Sequence, residues 1–141
     1  MVAIEIFNFL HFVGLAFGLG GATIATIISV KAGKDKDVGK AVMKIMPSIS
    51  KLIWLGLILL IVSGVGISYF VNWPIDKQNL LIKHVLVAWI FVIGIFLMTR
   101  MKKIGKEKDE KKILKLRKQI KVLSIINLIL WYVVTLLSAF V

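Results

Sequence analysis

Four long apolar runs, separated by lysine-rich segments, make up the chain. The first extends from about Ile4 to Val30 and holds one charged side chain, Glu5, at its edge. The second, Leu52 to Val71, has no charge. The third, Asn79 to Thr99, is interrupted only by Lys83 and His84 near its start. The fourth, Val122 to Val141, is again uncharged. Each is close to the ~20 residues needed to cross a hydrocarbon core of ~30 Å. In lipid a helix satisfies its own backbone hydrogen bonds, so the pattern predicts helices rather than isolated strands. The expected fold is an all-α membrane protein with one domain over 1–141. It is a four-transmembrane-helix bundle with helices at about 4–30, 52–71, 79–99 and 122–141.

The polar segments set the expected orientation. All 19 lysines and arginines except Lys77 and Lys83 lie in two stretches, one between the first and second runs and one between the third and fourth. Four crossings put these stretches on one side of the membrane. Basic residues near membrane ends stay cytoplasmic, so both termini are expected outside and the basic loops inside. Within the loops Val38, Val42, Ile45 and Ile49, and then Ile113, Leu116, Ile120 and Leu123, recur at helical spacing. Both loops should therefore contain helical extensions, with Pro47 a place for a kink. Such stripes suit a lipid-facing basic surface or a partner's docking face. The remaining connection, residues 72–78, is short, with Pro74 suited to a turn and Trp73 to the interface.

Composition strengthens this picture. The chain is 59% hydrophobic with a mean hydropathy of +0.93. Its net charge of +12 is accounted for by membrane orientation, and no nucleic-acid partner is expected. Cysteine is absent, which excludes disulfides, thiolate metal sites, cysteine nucleophiles and thioether haem attachment. The N-terminus lacks a basic leader region and its apolar run is long, so it reads as a retained helix rather than a signal peptide. The expected location is a prokaryotic inner or plasma membrane, crossed several times.

Ionisable groups at membrane depth are costly, which draws attention to the only two histidines, His11 and His84. Each lies several residues into its helix, some ~7 to 11 Å below the outer surface at ~1.5 Å per residue. Their helices run in the same direction, so the imidazoles are expected in one leaflet at matching depth. Either alone suits an interfacial, water-bonded role. As a pair across a bundle they suit the axial ligands of one b-type haem.

Below His11, Gly14, Gly18, Gly21, Ala25 and Ser29 share a face, and small residues there allow close helix packing or room for a macrocycle. Ala88 lies one turn below His84. Lys83 suits snorkelling to the surface, pairing with a carboxylate or Glu5, or iron ligation as a neutral amine. The fourth run carries a polar stripe, Ser124, Asn127, Trp131, Thr135 and Ser138, expected to point inward. No phosphate loop, paired carboxylates or activated nucleophile is visible, and no catalytic residue can be assigned.

His11 followed by Gly20-Gly21, together with Ile82-Lys83-His84-Val85-Leu86-Val87, resembles the HemJ/CopD-like superfamily of four-helix membrane proteins. HemJ-type members are haem-b proteins acting as protoporphyrinogen IX oxidases, and CopD-type members are linked to copper transport. The resemblance implies that the functional His and Lys fall on His11 and Lys83. Gly18, with Phe17 beside it, stands where an aromatic is usual, and Met46-Pro47 where Asn-Pro is usual.

The expected function is that of a small membrane haem-b protein. It would carry out electron transfer or oxidise a membrane-soluble quinol or porphyrinogen, with His11 and His84 as metal ligands and Lys83, Gly14, Gly18 and Ala88 lining the cofactor. The alternative from another class is a non-catalytic transporter or accessory subunit without haem. A homodimer is compatible with the large lipid-facing surface.

Overall fold

The computed structural model describes residues 2–32, 35–70 and 77–139. Four helices account for nearly all of them: α1 (Val2–Ala32), α2 (Lys36–Phe70), α3 (Lys77–Ile104) and α4 (Glu110–Ala139). Each is long and apolar enough to cross a membrane. The turn expected at Trp73 and Pro74 lies outside the described residues.

The helices are longer than the apolar runs because the lysine-rich segments are helical too. α2 begins at Lys36 and continues through Pro47, whose missing N–H leaves one carbonyl of the preceding turn without its usual donor. α4 begins at Glu110, well before its uncharged stretch. Both helices open on carboxylate caps. Asp35 Oδ1 accepts from the Asp37 amide at 2.8 Å, and Asp109 Oδ1 accepts from the Lys111 amide at 2.9 Å.

α1 and α2 form the tightest seam, and glycine explains it. A side chain at Gly56 would strike the backbone nitrogen of Gly18 and lie 2.8 Å from the carbonyl of Gly14. Here two backbones touch, which only a residue without Cβ permits. Farther along the same seam the Phe7 ring occupies the space where a Cβ on Gly66 would stand.

α4 joins this hairpin through Trp131. Its ring lies against Gly18 and is 1% exposed, beside Ala22, Leu57 and Ile90. Thr26 Oγ1 supports the joint, with its single hydrogen within reach of Ala22 O on its own helix at 2.9 Å and of Ser124 O on α4 at 3.3 Å. α3 packs along α4, where Arg100 donates to Gln119. On its other side α3 meets α2 chiefly through side chains, with Trp54 and Phe91 edge to face at 4.9 Å. The backbones run together in the order α2, α1, α4, α3, leaving α2 and α3 splayed.

Candidate functional site

The glycine-bearing face of α1 carries His11 against α2. His11 Nδ1 lies 3.0 Å from Ser63 Oγ, and Ser63 is completely buried. Ser63 Oγ also donates to Leu60 O at 3.1 Å. A hydroxyl has one hydrogen, so holding both bonds requires His11 Nδ1–H to donate to Ser63. In the neutral imidazole this is the Nδ1–H tautomer, whose Nε2 carries the lone pair. Nε2 has no hydrogen-bond partner among the described residues. Orientation of one imidazole nitrogen by a fixed acceptor, with the other left available, is the usual outer-shell arrangement of a ligating histidine.

Of the neighbours Lys83 and His84 on α3, Lys83 is the half-buried one. His84, next in sequence, is exposed, and its Nδ1 is taken up by Leu80 O at 2.7 Å on its own helix. The bond follows the i to i−4 spacing and needs no second helix. Ala88, one turn on, is exposed with it. The structure therefore brings His11 and Ser63 together, while on α3 Lys83 is half-buried and His84 and Ala88 are exposed. Glu5 is exposed and forms no ion pair with Lys83.

Gly14 and Gly18 are buried, but the space in front of them is taken. A Cβ at Gly14 would meet Leu60 at 2.9 Å, one at Gly18 would strike the Trp131 ring, and one at Gly21 would meet Ile53 at 2.8 Å. These glycines serve helix packing, and no bed for a macrocycle lies along them. The donor set at His11 does suit a haem or metal: an imidazole whose ring is oriented by Ser63 and whose Nε2 has no partner among the described residues. Any such group would sit on the half-exposed side of His11, away from the α1–α2 seam. Among the described residues no group of three or more His, Asp and Glu gathers at one place.

Ser63 is not among the site residues expected from the sequence. Its signal was available in retrospect: a lone hydroxyl between Gly56 and Gly66, on the face of α2 that the glycines mark. On α4, Thr135 and Ser138 donate to Trp131 O and Val134 O, each at 2.8 Å, so their hydroxyls are spent within the helix.

No family model matches the chain, and neither curated proteins nor solved structures give a match.

Proposed function

We propose that the chain is a multi-pass membrane protein that holds a b-type haem through His11, with Lys83 beside it, and exchanges electrons with a membrane-soluble partner. The observation that carries this reading is the hydrogen bond from His11 to a buried Ser63 whose own hydrogen is committed to Leu60 O. It leaves Nε2 as a lone-pair donor with a fixed ring direction. Haem bound there would supply one-electron chemistry toward a quinol or a porphyrinogen. The chain's own part is to hold the imidazole in one tautomer and to offer an ammonium to a propionate or a substrate carboxylate. The site also keeps an apolar surround of helix and lipid. What supports Lys83 over His84 as the α3 residue acting on the same ligand is burial: Lys83 is half-buried and His84 is exposed.

Orientation belongs to the same reading. The lysine-rich ends of α1 to α4 face the cytoplasm and the chain termini face outward, by the bias of basic residues.

The test is the absorption spectrum of protein purified from haem-replete cells. We expect a Soret band and a reduced-minus-oxidised α-band that are lost in His11→Ala. Ser63→Ala should weaken haem retention about 10-fold to 100-fold, the usual cost of removing an outer-shell partner. His84→Ala should retain the wild-type spectrum. A colourless, folded preparation rejects haem and favours a transporter or accessory subunit.

A further inference from the structure

Where α3 turns into α4 the chain builds a cleft with a charged wall. Its volume is about 460 Å³, within the range of small-molecule sites, and it opens to the surface. Five cations line it: Arg100 and Lys103 from α3, Lys106 from the turn, and Lys112 and Lys115 from α4. Arg100 and Lys103 are three residues apart, as are Lys112 and Lys115, so each helix contributes a pair on one face. The lining holds one carboxylate, Glu107, whose Oε1 accepts from the amides of Lys108 and Asp109 at 3.1 and 3.2 Å. A cleft lined by one sign of charge concentrates ions of the other.

Arg100 is half-buried and the four lysines are exposed. The Arg100 guanidinium donates to Gln119, which lines the same cleft from α4. That bond steadies the planar group and uses one of its N–H donors, so the others remain for an anion. The cleft stands at the edge of the apolar spans. Arg100 directly follows the apolar run that ends at Thr99, and Gln119 lies three residues before the run that begins at Val122. In a membrane this is the level of the lipid headgroups.

We propose that this cleft binds the phosphorylated headgroup of an anionic membrane lipid, with its acyl chains lying along the apolar spans of α3 and α4. Basic pockets between membrane helices recognise phosphate oxygens through charge and N–H donors. Two pairs of cations, one on each helix, select a headgroup with two phosphates over a headgroup with one. A soluble diphosphate offers the same oxygens, but the position of Arg100 and Gln119 at the apolar boundary favours the lipid. The site requires a membrane around the helices and nothing from His11, so it is independent of the haem reading.

Native mass spectrometry of the full chain in neutral detergent micelles, which counts the lipids that stay bound, tests the proposal. The probes are cardiolipin with two phosphates, phosphatidylglycerol with one, and inorganic pyrophosphate, a diphosphate without acyl chains. We expect one saturable cardiolipin per chain, held about tenfold or more tightly than phosphatidylglycerol because of the second set of charge-assisted bonds. Pyrophosphate should displace it only at roughly 100-fold higher concentration, since it lacks the apolar contact. Lys103→Gln, Lys112→Gln and Lys115→Gln together should weaken cardiolipin binding about 100-fold, from about fivefold for each cation at a headgroup. The matched triple Lys40→Gln, Lys44→Gln and Lys51→Gln removes the same charge from α2, outside the cleft, and should change binding by less than about twofold at physiological salt. All six lysines are exposed, so neither triple disturbs packing. Equal losses in the two triples would mean a general attraction to the basic face. Pyrophosphate binding as tight as that of cardiolipin would mean a site for a soluble anion. Either result overturns the proposal, as does cardiolipin bound no more tightly than phosphatidylglycerol, or without saturation.

Discussion

At the scale of single residues, the glycines divide sharply by what stands in front of them. A Cβ on Gly56 meets backbone atoms of α1, which have no rotamer to give way. A Cβ on Gly64 or Gly20 meets nothing within 4 Å. Gly56→Ala should therefore destabilise the bundle by about 1–3 kcal/mol, the range for overpacking. Gly64→Ala should be neutral, or stabilising by up to ~1 kcal/mol through helix propensity. Reversible unfolding of the two variants in mixed micelles separates them, and equal effects would contradict the backbone contact. The site residues show a similar divide in what the sequence revealed. His11 was legible because its glycine neighbours mark the inward face of α1. The choice between Lys83 and His84 was not. α3 is apolar around its whole circumference, and such a helix carries no mark of its rotation about its axis. Adjacent residues differ by about 100° in direction, so a small error in rotation exchanges one for the other.

At the scale of elements, α4 shows how a polar stripe orients a helix. Ser124, Asn127 and Trp131 are all buried, as their spacing on an otherwise apolar segment indicated. What the stripe did not disclose is how unevenly it is satisfied: Thr135 and Ser138 bond within their own helix, while Asn127 Oδ1 and Trp131 Nε1 have no partner among the described residues. Local bonding to the i−4 carbonyl is always open to a hydroxyl, whereas an indole N–H cannot reach its own backbone in this way. Trp131 is also the piece that fixes α4 to the α1–α2 pair, through Gly18. Trp131→Ala should cost about 3–5 kcal/mol, as for other large aromatic truncations in a packed core. Truncating the neighbouring exposed Tyr132 should have little effect on the same unfolding midpoint. Helix number was legible from apolar run lengths. So were the helical extensions into both lysine-rich segments, from the stripes Val38, Val42, Ile45, Ile49 and Ile113, Leu116, Ile120, Leu123. The exact starts at Lys36 and Glu110 were not, since lysine is a good helix former and the charged residues do not change the apolar count.

At the scale of the whole molecule, the strongest feature of the sequence is its charge asymmetry, and the natural lack of cysteine makes it simple to examine. A single cysteine introduced at Gln78 should react with a membrane-impermeant maleimide in intact cells. One at Lys108, in the exposed turn between α3 and α4, should react only after permeabilisation. The reverse pattern would invert the orientation proposed from the lysines. The outward-facing surface is almost wholly apolar, and the apolar stretch of α3 is only 6% buried within the chain.

The splayed pairing of α2 and α3 bears on how the protein is made. Helices leave the ribosome in chain order. α1 and α2 can lock backbone to backbone as soon as both have emerged, because Gly18 and Gly56 are already present. α3 arrives next and finds no backbone seam waiting on α2. Its firm partner is α4, which is synthesised last and is itself anchored to α1 through Trp131. The third helix is thus a lodger in the bilayer until the fourth arrives, and the bundle closes by its two ends of sequence meeting. A chain stopped after residue 104 would retain a finished hairpin and a helix with nothing to hold it, a state suited to recognition by membrane quality control.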